Sequence, residues 1–298
     1  EISLGLVGSE MCIRDRAENV LASKKVLYKG HAIAAVAATS QHVAEEAAAL
    51  IDVKYEVLPT VLGWRDALKD DAPLLHDQMT TRFRVERFGP GDDTGEISNI
   101  AGHLQHKLGD IDKGFKEADV IFEKEYETQT VHQGYIEPHV ASAVWGSDGR
   151  VTVWTSTQGP FSVRTATAAI LGIPDSSVKV VPMEIGGGFG GKETQSFIFA
   201  AICTLLAKKT KSPVKLRMDR DDDIIITGKR HDFYSEYLVG YDELGVIEGL
   251  NVKLASRCGI SPDLSGAINS RALLHICLLY TSDAADEGLG VDLGGRRI

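Results

Sequence analysis

Five glycines surround one phenylalanine in the stretch Gly186-Gly187-Gly188-Phe189-Gly190-Gly191-Lys192-Glu193. A strand pattern at 178–185 precedes this stretch, and a helical pattern at 194–209 follows it. Glycine permits positive φ angles and lets the backbone approach a ligand closely, although it loses more entropy on folding. Because free backbone N–H groups at a helix start favour an anionic or oxo ligand, the stretch predicts a ligand-binding turn.

Two nucleotide-binding patterns compete for this turn. The spacing Gly186-x-x-x-x-Gly191-Lys192 matches the phosphate-binding P-loop except at its last position, where Glu193 replaces the Ser or Thr that binds magnesium. A carboxylate at that position would repel the phosphates. The dinucleotide-binding fingerprint also fails, since no acidic residue ends the next strand. A P-loop-like nucleotide-binding protein therefore stays as the alternative from another class.

The segments on either side of the turn predict a mixed α/β fold. After a strand at 151–156, Pro160 suits the first turn of a helix that Gly172 ends. Pro182 indicates that the strand at 178–185 lies at a sheet edge or contains a bulge. The other strands predicted here are 214–218 and a hairpin of 233–241 and 246–256.

A smaller α/β unit is predicted near the start of the chain. The apolar run 31–38 indicates a buried strand, and Ser40 is a candidate N-cap for a helix that extends to Ile51. Residues 53–57 alternate as a second strand. The polar segment that follows contains Gly89-Pro90-Gly91, which is typical of a linker.

The two ends of the chain, 1–16 and 276–298, lack helical and strand periodicity and resemble translated sequencing-adapter runs. We expect them to be artefactual flanks rather than natural, loosely ordered termini. The fold prediction therefore concerns residues 17–275. It comprises a compact α/β domain at 17–78, a linker at 79–106 and a second domain at 107–275.

Composition and charge exclude some partners. The formal net charge of −10 argues against nucleic acid and anionic membranes as partners. The sequence contains no run near the roughly 18 apolar residues that span a bilayer, and no signal peptide pattern begins the chain. None of the four cysteines lies in a CxxC pair, so we expect neither a zinc site nor an iron–sulfur site in this chain. A cytoplasmic location is expected.

The turn at 187–193 is similar to the molybdopterin-binding motif of the xanthine dehydrogenase and aldehyde oxidase family. The first domain resembles the family's small hammerhead α/β domain. The resemblance implies an α+β fold, in which a hammerhead-like domain precedes the first part of the molybdopterin-binding domain of a large subunit. Three more segments resemble the family in the same order: Thr155-Ser156-Thr157-Gln158, the run 219–223 with 227–231, and 263–266 leading to Arg271-Ala272-Leu273.

The resemblance implies a role for each residue that matches the family's motifs. Gln158 would donate a hydrogen bond to an oxygen on molybdenum, a metal that this family holds through the pterin. Glu193 and Arg271 would orient the substrate, the glutamate by hydrogen bonding and the arginine by its fixed charge. The Phe189 ring would lie near the substrate. The remaining cofactor contacts would come from the backbone of Gly187, Gly188, Phe189, Gly190 and Gly191, with N–H donors around Phe189 and Gly190.

The same residues also have ordinary interpretations. Glu193 could offset the dipole of the following helix, Gln158 could be a turn residue, and Arg271 could be a surface charge. The sequence Glu137-Pro138-His139 is compatible with metal binding, but we interpret His139 as structural. His132 and His231 receive the same interpretation.

The implied reaction is hydroxylation of a purine such as xanthine or hypoxanthine with oxygen from water. Electrons would pass to Fe–S clusters and FAD on partner domains or subunits, so we expect a hetero-oligomer. The stretch 132–139 leaves open related enzymes that act on aldehydes or other N-heterocycles. No residue matches the family's catalytic base, and later pterin-binding loops are absent from the sequence, so this chain alone is expected to be inactive.

Overall fold

The computed structural model describes residues 20–22, 24–84, 91–105, 107 and 109–279. The flank predicted at 1–16 lies outside them, and so does 280–298 of the flank predicted at 276–298. In chain order the elements are α1 (Gln41–Ala49), α2 (Trp64–Ala67), β1 (Thr80–Arg84), β2 (Asp92–Ile97), β3 (Gly102–Leu104), α3 (Ile111–Glu117), β4 (Val120–Thr128), β5 (Val140–Trp145), β6 (Val151–Thr155), α4 (Pro160–Leu171), β7 (Val178–Pro182), α5 (Ser196–Thr210), β8 (Val214–Arg217), α6 (Arg220–Ile226), β9 (Phe233–Tyr241), β10 (Ile247–Ala255) and α7 (Ser265–Leu279).

The chain divides into two compact units. The first takes in the chain up to Leu58 together with Val131–Arg230, and the second takes in Pro59–Thr130 together with the chain from His231 onward. Each unit combines helices with sheet, so the predicted mixed α/β class is confirmed. No helix in the described part of the chain has both the length and the apolar character needed to cross a membrane.

The first unit is built on a four-stranded sheet with the order β7-β6-β5-β8. Strand β6 runs parallel to β7 and antiparallel to β5, and β5 is also antiparallel to β8. Burial alternates along β6, because one face of the sheet packs on helices. Helix α5 is buried through most of its length, as expected for a helix that is apolar all round.

Local sequence signals set the limits of α4 as predicted, whereas β7 ends at Pro182 and not at 185. Pro160 occupies the first turn of α4, and Gly172 caps its end with a φ of 64° in the left-handed region. Pro182 is the last residue of β7, which is an edge strand of its sheet. Helix α5 begins at Ser196, two residues later than the helical pattern predicted.

Only the helix of the predicted strand–helix–strand unit forms. Ser40 caps α1 as expected, since its Oγ accepts the N–H of Val43 at 3.4 Å. The predicted strands at 31–38 and 53–57 pair with no other strand in the described residues. That prediction was wrong because an extended segment becomes a strand only when a neighbour supplies a ladder of hydrogen bonds.

The second unit contains two three-stranded sheets, with the orders β2-β1-β3 and β10-β9-β4. The first of these sheets occupies the segment that was predicted to be a linker. Strands β9 and β10 form the predicted hairpin, whose turn is held by Asp242 Oδ1 accepting the N–H groups of Leu244 and Val246. Gly114 of α3 packs so closely on the backbone of Glu248 that a side chain there would collide with it.

Candidate functional site

The end of β6 and the glycine-rich turn are joined by hydrogen bonds within the first unit. The carbonyl of Lys192 accepts the backbone N–H of Gln158 at 2.9 Å and the hydroxyl of Thr157 at 3.1 Å. The hydroxyl of Ser196, at the start of α5, donates to the carbonyl of Ser156 at 2.9 Å. Strand end, turn and helix start are therefore fixed to one another at the predicted site.

The side-chain amide of Gln158 lies against the turn with its oxygen inward. Its Oε1 accepts the backbone N–H of Gly190 at 3.1 Å and that of Lys192 at 3.3 Å. Because both partners are donors, they determine which end of the amide is the oxygen. The Nε2 group has no acceptor among the described residues, and the side chain is exposed. Two N–H bonds are therefore available to a ligand.

Positive φ angles give the turn its shape. Gly187 and Gly190 have φ angles of 97° and 87°, and Phe189 between them has a φ of 52°. A phenylalanine in this region is strained by about 1–3 kcal/mol, a feature that often marks functional sites. Phe189 is 75% exposed, and a Cβ built on Gly190 would meet no atom within 4 Å. The turn therefore presents an aromatic ring beside open space.

The backbone donors of the turn differ from expectation at one position. Gly190 was predicted to offer its N–H to a ligand, but Gln158 Oε1 accepts that group. The N–H of Phe189 has no acceptor among the described residues. The difference arises because the Gln158 amide turns its oxygen toward the backbone, so that its own N–H groups replace that of Gly190 as donors.

Lys192 is fully buried, and its ammonium group forms an ion pair with a carboxylate inside the first unit. Its Nζ lies 2.8 Å from Oε2 of Glu137 and 4.9 Å from the centroid of the Tyr135 ring. Burial acts to raise the pKa of Glu137, but the hydrogen bonds from Lys192 and from the N–H of Gly186 outweigh burial and lower this pKa. From the sequence, Glu137 was interpreted only in relation to a metal site, and its ion pair with Lys192 was not predicted.

The buried pair counts against the nucleotide-binding alternative. A P-loop lysine must reach phosphate groups from the surface of its loop. The side chain of Lys192 instead points inward to Glu137 and has no exposed surface. The turn therefore lacks both the free lysine and the magnesium-binding hydroxyl that phosphate binding requires.

A polar network lies buried in the same unit. Asp223 Oδ2 accepts the backbone N–H of His139 at 2.5 Å and lies 3.1 Å from its Nδ1, while Asp223 Oδ1 accepts the hydroxyl of Tyr135 at 2.5 Å. Burial acts to raise the pKa of Asp223, but these hydrogen bonds outweigh burial and lower the pKa to about 2. The ring of His139 also packs on Phe199, with the ring centroids 4.8 Å apart.

His231 and His132, which were also interpreted as structural, lie in different environments. Nε2 of His231 lies 2.7 Å from the hydroxyl of Ser265, within the second unit. The His132 ring packs against Tyr135, and burial together with the charge of Lys229 lowers the pKa of His132. No group of three or more His, Cys, Asp or Glu side chains in the described part of the chain could hold a metal ion.

The two predicted substrate residues lie in different units. Glu193 lies in the first unit, directly after the glycine-rich turn, where its side chain is exposed and makes no hydrogen bond or ion pair with another described residue. It precedes the first turn of α5, which contains no acidic residue, so Glu193 does not cap that helix. Arg271 lies on α7 in the second unit, where its side chain is exposed.

Comparison with known families identifies the class of protein. Residues 93–287 match the family described as "Molybdopterin cofactor-binding domain", which includes the whole turn and the strand end with Gln158. Residues 6–59 match the family described as "Aldehyde oxidase and xanthine dehydrogenase, a/b hammerhead domain". The chain belongs to the molybdopterin-binding proteins of the xanthine dehydrogenase and aldehyde oxidase family.

Individual relatives agree with that membership. The chain is 35% identical to Xanthine dehydrogenase/oxidase of Gallus gallus over 260 residues, which cover 87% of this chain and 17% of the relative. It is 31% identical over 258 residues to the "Nicotinate dehydrogenase large molybdopterin subunit" of Eubacterium barkeri, covering 56% of that subunit. The chain thus spans less than a fifth of the xanthine dehydrogenase and just over half of the nicotinate dehydrogenase subunit.

Solved structures share the fold. The aldehyde oxidoreductase of Desulfovibrio gigas matches with a TM-score of 0.66 and 24% identity, over 79% of this chain and 24% of that chain. The reconstituted CO dehydrogenase of Oligotropha carboxidovorans matches with a TM-score of 0.63 and 26% identity, over 79% of this chain and 29% of that chain.

The residues present fit the cofactor that this family binds. An oxygen-rich group requires fixed donors, and the Gln158 amide and the Phe189 N–H supply them beside open space. A Cβ on Gly188 would collide with the Gln158 amide, and a Cβ on Gly191 would lie 2.7 Å from Cε1 of Tyr135. Glycine is therefore required at both positions for this arrangement of donors.

Proposed function

We propose that this chain contributes the first part of the molybdopterin site of a hydroxylase that oxidises a purine such as xanthine or hypoxanthine with oxygen from water. The observation that carries the proposal is the Gln158 amide, whose oxygen is bound by the turn and whose N–H groups are free. Electrons would pass to Fe–S and FAD partners in a cytoplasmic hetero-oligomer.

The residues have separate tasks in this proposal. The N–H groups of Gln158 and Phe189 would hold the oxygen-rich side of the cofactor, because donors fixed before binding need no rearrangement. When bound, the cofactor would supply the redox chemistry, and the protein would supply binding and orientation. The exposed carboxylate of Glu193 would accept a hydrogen bond from a ring N–H of the purine. The guanidinium of Arg271 would stabilise negative charge on the substrate.

A second candidate is a related hydroxylase that acts on another N-heterocycle or on an aldehyde. The similarity to the nicotinate dehydrogenase large molybdopterin subunit supports it, since the chain is 31% identical to that protein over 258 residues. The fold and the Gln158 arrangement serve both candidates. Glu193 distinguishes them, because its carboxylate suits the ring N–H groups of a purine.

The test uses the assembled enzyme that contains this chain. In Glu193→Gln we expect kcat/KM for xanthine to fall about 10- to 100-fold, since a hydrogen bond to a charged group contributes about 1.5–3 kcal/mol. The matched control is Glu184→Gln, which neutralises an exposed glutamate shortly before the turn. Turnover of nicotinate or an aldehyde in preference to xanthine, with no effect of Glu193→Gln, would exclude the purine assignment.

A further inference from the structure

One carboxylate contacts both ends of the glycine-rich turn. Oε2 of Glu137 accepts the backbone N–H of Gly186 at 2.8 Å and the Nζ of Lys192 at 2.8 Å. The backbone N–H of Glu137 also donates to the carbonyl of Gly186 at 3.1 Å. Gly186 and Lys192 are the first and last residues of the run Gly-Gly-Gly-Phe-Gly-Gly-Lys. Glu137 therefore connects the two ends of the turn through its side-chain carboxylate.

Close packing on the same side of the turn leaves no space for side chains. A Cβ on Gly186 would lie 2.6 Å from Cβ of Glu137, and a Cβ on Gly187 would lie 3.2 Å from Cβ of Tyr135. The first distance is shorter than real Cβ atoms show, and the second is tighter than most, at a glycine whose φ of 97° already disfavours a side chain. The segment containing Tyr135 and Glu137 thus forms a surface on which the backbone of the turn rests.

The buried charge of Lys192 makes the position of this side chain depend on Glu137. Its side chain has no exposed surface, whereas the side chain of Glu137 is 32% exposed. A buried ammonium without a partner is strongly unfavourable, so Lys192 depends on the carboxylate for its position. The carboxylate in turn is held by two contacts, with the N–H of Gly186 and with the Nζ of Lys192, which are the two ends of the turn.

We infer that Glu137 is a positioning residue for the cofactor-binding turn. Through Lys192 and Gly186 it holds the backbone so that Phe189 keeps its left-handed conformation and the N–H of Gly190 stays on Oε1 of Gln158. The consequence for ligand binding rests on the function proposed above. The positioning itself is a property of the free chain and is tested without the cofactor.

The experiment is hydrogen exchange on the full 298-residue chain. Glu137→Gln keeps the shape of the side chain but removes the charge that holds Lys192. We expect the amides of 186–192 to exchange about tenfold faster than in the unchanged protein, because the turn opens locally more often. Amides of β5 and β6 should change less than about twofold. The control, Glu184→Gln, should leave both regions unchanged.

A second variant keeps the test decisive should Glu137→Gln fail to fold. The double variant Glu137→Met with Lys192→Met replaces the buried ion pair with apolar side chains of similar length, an exchange that folded proteins often accept. It still removes the acceptor of the Gly186 N–H. We therefore expect the amides of 186–192 to exchange fast while the amides of the sheet stay protected. Unchanged protection of the turn, or an equal loss of protection across the unit, overturns the inference.

The inference and the proposed function can fail separately. Hydrogen exchange of the free chain measures only the opening of the turn. A lack of activity with purine substrates would therefore not contradict the positioning role of Glu137. Conversely, a turn that stays protected in both variants removes the positioning role of Glu137 and says nothing against Gln158 as a cofactor donor. In the assembled enzyme, a lower molybdopterin content in Glu137→Gln is the expected consequence when both hold.

Discussion

Two helices of the first unit, α5 and α1, differ in what surrounds them. In α5, Phe199 is 2% exposed and Ala201 and Cys203 are completely buried against the sheet. Helix α1 has no buried residue, and Leu50 at its end is 84% exposed. Helix α1 has a side-chain N-cap, which α5 lacks. A local capping signal is therefore enough to form a helix, whereas packing against a sheet determines what the helix contributes to stability.

The largest effect expected from this comparison is the loss of Phe199. Its ring packs in the core and against His139, so Phe199→Ala should lower the free energy of unfolding by about 3–5 kcal/mol. At the C-cap of α1, Leu50→Ala should change the free energy of unfolding by less than about 0.5 kcal/mol because the side chain is already in water. Denaturant unfolding of both variants measures the two values. Similar losses in the two variants would contradict the comparison.

A smaller effect should depend on pH through Asp223, which is completely buried against Tyr135 and His139. Its pKa is about 2 in the folded chain, below the ordinary value of 3.8. A lowered carboxyl pKa stabilises the fold above pH 3.8, and this stability is lost as the pH falls toward 2. The difference in unfolding free energy between the unchanged protein and Asp223→Asn should therefore shrink by about 2 kcal/mol between pH 6 and pH 2.

The measurement is denaturant unfolding of both proteins across that pH range. Asp77→Asn serves as the control, since it changes an exposed aspartate of the second unit. A difference between the unchanged protein and Asp223→Asn that stays constant with pH would show that the carboxylate is not held in its charged form by His139 and Tyr135.

Elements with strong local signals could be predicted from the sequence. Pro160 and Gly172 limit α4, Ser40 caps α1, and the Asp242 turn makes the hairpin, because each signal acts through neighbouring backbone groups. Strand pairing was less predictable. The segment 79–106 is polar and rich in turn residues, yet it forms a sheet because β1 has partners on both sides.

The same distinction applies to the site. Gln158 and the glycine run could be located from their order along the chain, and the structure brings them together. The pairing of Glu137 with Lys192 joins residues 55 positions apart and depends on burial, which sequence spacing does not reveal. The inward direction of the Gln158 oxygen is likewise decided by two backbone donors whose orientation only the folded turn defines.

The smallest effect is expected at the N-cap of α1, the exposed helix of the two. Ser40→Ala removes the acceptor of the Val43 N–H, which should cost α1 about 0.5–1 kcal/mol. Because α1 buries no residue, its local opening is already separate from unfolding of the sheet. Hydrogen exchange at 41–49 should therefore become faster while the unfolding midpoint of the chain stays the same. Thr39→Ala, next to the cap, is the matched control, and a shifted midpoint in Ser40→Ala alone would mean that α1 folds together with the core.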